Sequence, residues 1–333
     1  MMKAVIIGQP DRIDVVYGPK ETSMLEERLS VVKAPHVYGV GLDPALYADA
    51  DYIFGTWGMP GLNAEFMANA KNLKAVFYAA GSVKGFTTEA FWDSGVRMFS
   101  AWGANAYPVA EFTFAQVILC LKQAWTAVRL SQDLKAESYR AFDRETVPGA
   151  FESTVGLLSL GQIGRLVVER LRSLNVKVIA YDPFFSPEEA QELGVKLCSL
   201  EAVFAEADVV SCHTPWLPET EKMLKREHFA AMKSHASFIN TARGAVVDEE
   251  GLISVLQERP DITAILDVTH PEPPVENSPF YTLPNVMLTP HIAGSMADEC
   301  RRMSQFMIAE YDRMVAGEPL RWEISRERAA TLA

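Results

Sequence analysis

The chain has 333 residues, of which 49% are hydrophobic, and this length exceeds what a single hydrophobic core usually serves. We therefore expect a globular protein of two domains. The formal net charge of −12 would repel nucleic-acid phosphates and anionic lipid, which argues against nucleic-acid and membrane partners. A small anionic substrate would then need a local basic group in order to bind.

The cysteines and the N-terminus indicate the cellular setting. Cys120, Cys198, Cys212 and Cys300 are widely scattered, so we expect neither a disulfide framework nor a metal site. The apolar run within residues 1–8 is too short for a signal peptide, and we find no uncharged stretch long enough to span a bilayer. The sequence therefore predicts a cytoplasmic protein.

The first hundred residues alternate between predicted strands and predicted helices. Strands are predicted at 3–8, 51–55 and 73–78, and helices at 22–32 and 62–70. This alternation is typical of a parallel sheet covered on both faces, and ligands gather at the carboxyl ends of such strands. The loops at 55–61 and 79–85 are therefore expected to contact a substrate.

A long apolar-rich segment follows, from Val109 to about Leu134. Its apolar residues fall on more than one side, which predicts a helix that packs against something beyond its own domain. A partner subunit is one interpretation, and a core helix buried all round is the other.

The stretch from Val155 to Asp182 has the order of a dinucleotide-binding unit. An apolar run at 154–160 predicts a buried strand, helical spacing follows it, and 176–181 predicts a second strand. Gly161 and Gly164 lie at the first turn, where a pyrophosphate would meet the exposed N–H groups of a helix N-terminus. The order of these elements predicts a bound dinucleotide.

Asp182 lies roughly 20 residues beyond the glycine turn, where a carboxylate binds ribose hydroxyls and repels a 2′-phosphate. Residues 183–187 include no Arg or Lys, which favours NAD over NADP. Ser159 stands where the pattern has its first glycine. The two remaining glycines alone would fit close packing of a helix on a strand equally well, and it is the second strand with Asp182 that favours the cofactor.

Four later strands are each followed by polar residues. These strands are predicted at 207–212, 237–240, 262–266 and 284–288, after a helix at 188–193. The residues that follow them include Arg243 and His291, with Glu272 in the loop after the third. Because the carboxyl ends of parallel strands meet at one edge, these groups are expected where the nicotinamide lies.

Arg243, Glu272 and His291 are weak signals singly and supply together what reduction of a 2-oxo acid requires. Arg243 offers a planar bidentate cation for the substrate carboxylate. His291 is suited to protonate the carbonyl oxygen as a general acid, and Glu272 would orient its ring.

Four parts of the sequence closely resemble the D-isomer-specific 2-hydroxyacid dehydrogenases: 155–164, 240–248, 266–268 with 271–273, and 289–294. The resemblance implies an NAD-dependent oxidoreductase that interconverts a D-2-hydroxy acid and its 2-oxo acid. By this similarity Arg243 binds the substrate, Glu272 partners His291, and His291 is the acid/base.

The resemblance also implies the residues of two binding sites. The cofactor residues are Gly161, Gln162, Ile163, Gly164, Asp182, His213, Thr214, Pro215, Thr220, Thr241, Ala242, Asp267, His291 and Gly294. The substrate residues are Trp57, Gly58, Ala80, Gly81, Ser82 and Arg243. No metal ion is expected.

The family fold consists of two α/β domains, Rossmann or flavodoxin-like, each with a doubly wound parallel sheet, and the active site lies in the cleft between them. We expect a substrate domain at 1–103, completed by 296–333, and an NAD-binding Rossmann domain at 104–295. The resemblance further implies a homodimer through the helix near 109–130.

Some features depart from the family pattern. The loop Ala79–Lys84 keeps one glycine and lacks the Asp-Asn pair of many relatives, which puts substrate assignment by analogy in doubt. His270 is interpreted as a surface residue. The chain ends soon after Trp322, so we expect no regulatory domain after the final helix, which weakens a phosphoglycerate dehydrogenase interpretation.

Two other functions stay open. An NAD-sensing, corepressor-like protein of the same fold would keep Arg243, Glu272 and His291. A different Rossmann enzyme, such as a methyltransferase, would explain the glycine turn and leave those three residues unexplained.

Overall fold

A computed structural model describes residues 1–331 and divides the chain into two compact units. The first unit is Met1–Ala106 with Ser295–Ala333, and the second is Tyr107–Gly294. The domain ranges predicted from the sequence differ from these bounds by a few residues. Residues 332 and 333 of the predicted range lie outside the described residues.

Thirteen strands and fourteen α-helices make up the two units in the described part of the chain. The strands are β1 (Lys3–Gly8), β2 (Ser30–Pro35), β3 (Tyr52–Gly55), β4 (Ala75–Tyr78), β5 (Arg97–Ser100), β6 (Phe151–Leu158), β7 (Asn175–Tyr181), β8 (Lys196–Leu197), β9 (Val209–Cys212), β10 (Ser237–Asn240), β11 (Thr263–Leu266), β12 (Val286–Leu288) and β13 (Glu323–Ile324). The helices are α1 (Pro10–Val16), α2 (Pro19–Glu26), α3 (Ala64–Asn69), α4 (Glu89–Asp93), α5 (Trp102–Leu121), α6 (Ala124–Leu134), α7 (Ser138–Ala141), α8 (Gln162–Leu171), α9 (Pro187–Leu193), α10 (Leu200–Glu206), α11 (Arg226–Ala230), α12 (Glu249–Glu258), α13 (Cys300–Ala316) and α14 (Arg326–Thr331).

The sheet of the first unit has the order β2-β1-β3-β4-β5-β13. Five strands run parallel, in the order of the flavodoxin-like fold, and β13 pairs antiparallel with β5. Each parallel strand except β2 is almost wholly buried, as expected for a sheet covered on both faces.

The second unit contains a seven-stranded parallel sheet of order β8-β7-β6-β9-β10-β11-β12. The strand order reverses at β6, so the crevice beyond the carboxyl ends of β6 and β9 is the switch point at which such sheets bind ligands. The prediction of two doubly wound α/β domains is confirmed.

Aromatic side chains dominate the core of the first unit. The rings of Phe54, Phe77 and Phe99 stack on successive strands, with centroid distances of 5.0 and 4.7 Å. Tyr311 of α13 lies edge-on to Phe77 at 5.8 Å. Helix α13 therefore completes the core of the N-terminal sheet, although about two hundred residues separate them in the chain.

Two predicted helices have different bounds in the structure. The helix predicted at 22–32 ends at Glu26, and the β-branched pair Val31 and Val32 instead belongs to β2, which pairs in parallel with β1. The prediction was wrong over this end because sequence periodicity does not reveal an available sheet edge.

The helix predicted from Val109 to Leu134 is two helices, α5 and α6. Gln123 interrupts them with a left-handed φ of +48°, and its side-chain amide donates to the carbonyl oxygen of Thr146 at 2.9 Å. The apolar pattern continues through this position and predicts one helix, but the hydrogen bond of the buried Gln123 side chain stabilises a break there.

Of the described helices, α5 alone is long and apolar enough to cross a bilayer by length and composition, which the sequence analysis did not anticipate. Its apolar stretch is 56% buried inside the protein. Core helices pass the same test, so this is weak evidence for a membrane span.

Candidate active site

The turn between β6 and α8 has the backbone geometry of a dinucleotide-binding loop. Ser159 has a left-handed φ of +77°, the conformation that explains a glycine at this position in the G-x-G-x-x-G pattern. A Cβ on Gly164 would lie 2.2 Å from the carbonyl oxygen of Ser159, so only glycine lets the helix pack this closely. A Cβ on Gly161 would meet only Ser159 Oγ at 3.9 Å, which leaves open space in front of the loop.

The N-terminus of α8 fits a pyrophosphate. Gly161 is its N-cap and provides no side-chain hydrogen bond, so the N–H groups of Gln162 and Ile163 have no side-chain cap. Unpaired N–H groups at a helix N-terminus attract phosphate oxygens through hydrogen bonding and the helix dipole. The open space at Gly161 and the uncapped N-terminus together fit the cofactor.

Asp182 follows β7 and lies against the glycine turn. Its Oδ2 accepts a hydrogen bond from the N–H of Leu160 at 2.7 Å, and Oδ1 accepts one from the N–H of Phe184 at 2.9 Å. Each carboxylate oxygen accepts more than one hydrogen bond, so capacity remains for ribose hydroxyls. Asp182 therefore shapes the turn as well as offering a ribose ligand, and the sequence analysis missed the first of these roles.

The segment after β9 carries four of the predicted cofactor residues. His213 is buried, its Nε2 lies 3.1 Å from Ser211 Oγ, and burial lowers the pKa of its imidazole to about 3, so the ring is neutral near pH 7. Within residues 1–331, no hydrogen-bond partner reaches its Nδ1. Thr220 Oγ donates to the carbonyl oxygen of Pro215 at 2.6 Å and accepts from the N–H of Leu217 at 2.8 Å. Thr220 thus closes the loop that begins with Thr214.

Arg243 lies in the segment that follows β10, three residues after the strand ends. Asn240 braces this segment, because its amide accepts from the N–H of Ala242 at 3.0 Å and donates to the carbonyl oxygen of Arg243 at 3.1 Å. The buried hydroxyl of Thr241 lies 3.2 Å from that of Thr113. Burial lowers the pKa of the Arg243 guanidinium, and the negative charge of Glu272 partly opposes that shift.

Asp267 organises the loop that carries His291. Its Oδ1 accepts from Thr289 Oγ at 2.6 Å and from the N–H of Ile292 at 2.8 Å, and its Oδ2 accepts from the N–H of Ala293 at 2.9 Å. The N–H of His291 also donates to the carbonyl oxygen of Asp267 at 3.0 Å. A buried carboxylate with three donors holds this loop rigidly, and Oδ2 keeps capacity for one further donor.

His291 and Glu272 form a direct pair. His291 Nδ1 lies 2.6 Å from Glu272 Oε1, within range of a charge-assisted hydrogen bond. About half of each side chain is exposed, 47% for His291 and 42% for Glu272. His291 has a left-handed φ of +54°, an unfavourable conformation for histidine that the bonds to Asp267 sustain.

A cavity of about 870 Å³ adjoins this pair in the second unit. Its lining includes Glu272, Asp267 and His291, with Trp125 and Tyr281 among its apolar walls. Its volume is that of a typical small-molecule pocket.

The predicted substrate residues of the first unit lie in loops after β3 and β4. Gly58 has a φ of +92°, and a Cβ there would lie 2.4 Å from Gln9 Cγ, so glycine is required. Trp57 is half-buried. The buried hydroxyl of Ser100 donates to the carbonyl oxygen of Ala80 at 2.9 Å, and a Cβ on Gly81 would meet nothing within 4 Å. Ser82 follows in this loop.

Within the second unit, His291 contacts Glu272, and the charge of Glu272 acts on Arg243. Of the remaining predicted cofactor residues, Gly294 follows Ala293 at the end of the Asp267-bound loop. The sequence analysis assigned no role to the bracing side chains of Asn240 and Thr289, since polar residues beside strand ends carry no distinctive spacing.

The chain matches known proteins over most of its length. A family model for the D-isomer specific 2-hydroxyacid dehydrogenase, NAD binding domain, matches residues 117–293. D-3-phosphoglycerate dehydrogenase from Archaeoglobus fulgidus is 32% identical over 260 residues, which cover 78% of this chain and 49% of that relative. The chain therefore spans about half the length of the curated relatives it matches.

Two solved structures show the likeness in three dimensions. The TT0316 protein from Thermus thermophilus has a TM-score of 0.71 and 28% identity, over 96% of this chain and 99% of that one. D-Mandelate dehydrogenase from Rhodotorula graminis has a TM-score of 0.79 at 21% identity, over 98% of each chain, and at that identity the likeness is one of fold. Because the family model covers more than half of the sequence, the chain belongs to the D-isomer-specific 2-hydroxyacid dehydrogenase family and contains its NAD-binding domain.

Proposed function

We propose that this protein reduces a 2-oxo acid to the D-2-hydroxy acid, and catalyses the reverse oxidation, with His291 as acid/base, Glu272 as its partner and Arg243 as the substrate anchor. The observation that supports this most directly is the 2.6 Å contact between His291 Nδ1 and Glu272 Oε1. The negative charge of the same carboxylate also acts on Arg243, where it favours the charged guanidinium.

In this proposal Arg243 binds the substrate carboxylate. A guanidinium presents two parallel N–H donors that match a carboxylate, and burial strengthens the interaction by lowering the local dielectric. The overall charge of −12 opposes an anionic substrate, so the local cation is needed for binding.

His291 supplies the proton. With Nδ1 directed at Glu272, Nε2 is the ring nitrogen left to face a carbonyl oxygen, and Glu272 stabilises the protonated ring. NADH, when bound, supplies the hydride to the carbonyl carbon. In the oxidation direction, His291 Nε2 accepts the proton of the substrate hydroxyl.

The substrate class is tested by NADH consumption with purified protein across 2-oxo acids that range from glyoxylate and pyruvate to branched, aromatic and phosphorylated acids. We expect reduction of at least one, with the D-hydroxy acid as product by chiral chromatography. The phosphorylated member is included because the relative from Archaeoglobus fulgidus is named for phosphoglycerate. NADH binding without turnover of any acid would contradict the proposal and favour NAD sensing. Homodimer formation and a cytoplasmic location stay predictions.

Cofactor choice gives a second test. Replacement of Asp182 by alanine is expected to narrow the preference for NADH over NADPH by about 10-fold in kcat/KM, because a carboxylate that repels a 2′-phosphate is removed. Steady-state kinetics with both cofactors would measure this ratio.

Asp182→Asn separates charge from the turn geometry, since its amide oxygen can still accept a backbone hydrogen bond. We expect Asp182→Asn to lower the ratio of kcat/KM with NADH to that with NADPH, and to lose less NADH affinity than Asp182→Ala. A wild-type protein that already prefers NADPH would refute this role of the carboxylate.

A further inference from the structure

The loop that carries Glu272 has few main-chain donors, although two side chains donate to its carbonyl oxygens, Thr269 Oγ1 to Pro271 and the Tyr281 hydroxyl to Pro274. Residues 270–274 read His-Pro-Glu-Pro-Pro, and proline has no backbone N–H. Only His270 and Glu272 can therefore donate a main-chain hydrogen bond within this loop. The N–H of His270 donates to Oε1 of Glu249 at 2.7 Å.

Glu249 belongs to the segment that carries Arg243. It is the first residue of α12, six residues after Arg243, and a second contact joins the same two segments. A Cβ on Gly244 would lie 2.0 Å from the carbonyl carbon of Thr269, so the two backbones touch there. The loop of Glu272 is thus joined to the segment of Arg243 at Gly244 and at Glu249.

The main chain of His270 bonds to Glu249, whereas its side chain lies beside a different residue. The ring is exposed, as the sequence predicted, and lies 5.1 Å from the ring of Trp216. The main chain of His270, two residues before Glu272, is the part that Glu249 holds.

We propose that Glu249 is a positioning residue for the catalytic pair: its carboxylate fixes the main chain of His270 and thereby sets the placement of Glu272 against His291. The inference rests on the proposed function for its catalytic consequence and on the 2.7 Å contact for its structural one. It gives a role to an acidic residue that lies half-buried at the start of α12.

Burial raises the pKa of the Glu249 carboxyl to about 7, while the bond from His270 and the charge of Lys222 act in the opposite direction. The carboxyl therefore changes charge near neutral pH. When it is deprotonated, the bond from His270 is charge-assisted and about twice as strong as with a neutral acceptor. As pH rises from 6 to 8, the anchor strengthens.

The stability of the fold changes with pH in the opposite direction to the strength of this hydrogen bond. A carboxyl with a raised pKa in the folded state makes its full contribution to stability below its unfolded pKa and loses it as pH rises through about 7. Glu249→Gln should therefore gain stability relative to wild type as pH rises, and thermal unfolding from pH 5 to pH 8 would show the gain.

The test compares Glu249→Ala, Glu249→Gln and the neighbouring, exposed Glu250→Gln in the full chain. Glu249→Ala should lower kcat for a 2-oxo acid by about 10- to 100-fold, the range for a small misplacement of catalytic groups, with the Kd for NADH within about twofold of wild type. Glu249→Gln should keep most of kcat at pH 6, since its amide oxygen still accepts the bond. The ratio of wild-type kcat to that of Glu249→Gln should rise between pH 6 and pH 8, and Glu250→Gln should match wild type.

Hydrogen exchange of the His270 amide gives a readout that does not need turnover. We expect its protection to fall in Glu249→Ala and to persist in Glu249→Gln. Unchanged protection, or wild-type kcat in Glu249→Ala, would overturn the proposal. If Glu249→Ala does not fold, the kcat ratio for Glu249→Gln decides, and a ratio independent of pH counts against positioning. If wild type reduces no 2-oxo acid, the proposed function fails, and amide exchange alone decides whether Glu249 anchors the loop.

Discussion

Replacement of His291 by glutamine is expected to lower kcat for 2-oxo acid reduction by about 10²- to 10⁴-fold, the usual contribution of a general acid. Glutamine retains a hydrogen-bond donor and cannot deliver a proton. The Kd for NADH, measured by fluorescence titration, should stay near that of wild type, because the glycine turn and Asp182 hold the other end of the cofactor. Steady-state kinetics at saturating NADH would measure the loss.

Backbone strain at His291 calls for a second variant. Its φ of +54° suits asparagine better than glutamine, so His291→Asn should lose activity to a similar extent with less effect on the unfolding midpoint. His235→Asn is the matched control: it precedes β10, has a φ of +63°, and so lies at the opposite edge of the same sheet. Turnover of His291→Gln equal to wild type would remove His291 from the mechanism.

The second large effect concerns Arg243. Arg243→Lys should raise the KM for a 2-oxo acid and lower kcat/KM by about 10- to 100-fold, since hydrogen bonds to charged groups contribute about 1.5–3 kcal/mol each and lysine cannot bind a carboxylate in the bidentate mode. NADH affinity should change much less. Kinetics over a series of substrate concentrations would measure the change in KM for the 2-oxo acid, and a separate titration would measure the change in NADH affinity.

A matched control is Arg172→Lys, an exposed arginine at the end of α8 that should behave as wild type. Both variants keep the positive charge, so a larger rise in substrate KM for Arg243→Lys would reflect the loss of the bidentate guanidinium geometry. A larger loss of NADH affinity than of substrate affinity in Arg243→Lys would count against carboxylate binding.

Much of the second unit was predictable from local pattern. Apolar runs bounded by turn residues placed β6, β9 and β10 within a few residues, because a strand buried on both faces must be continuously apolar. The two glycines and Asp182 identified the cofactor class. The phosphate needs an uncapped, unobstructed helix N-terminus, and the ribose hydroxyls need a carboxylate. Ser159 kept the left-handed conformation of the glycine it replaces.

Prediction failed where distant parts of the chain decide the structure. The strand β2 forms on an edge that β1 supplies, and the break at Gln123 is stabilised by a bond to Thr146. Neither partner is visible in a local window of sequence. The packing of α13 on the first sheet depends in the same way on residues far away in the chain.

The sequence by itself determined the family, the NAD-binding turn and the identity of Arg243, Glu272 and His291 as candidates, because chemistry requires particular side chains after particular strands. Only the tertiary structure decided that Glu272 reaches Nδ1 of His291 and that Asp267 and Glu249 hold the loops beside them. Such contacts join segments about twenty residues apart, and their geometry depends on how neighbouring strands end in space. Spacing along the chain does not carry that information.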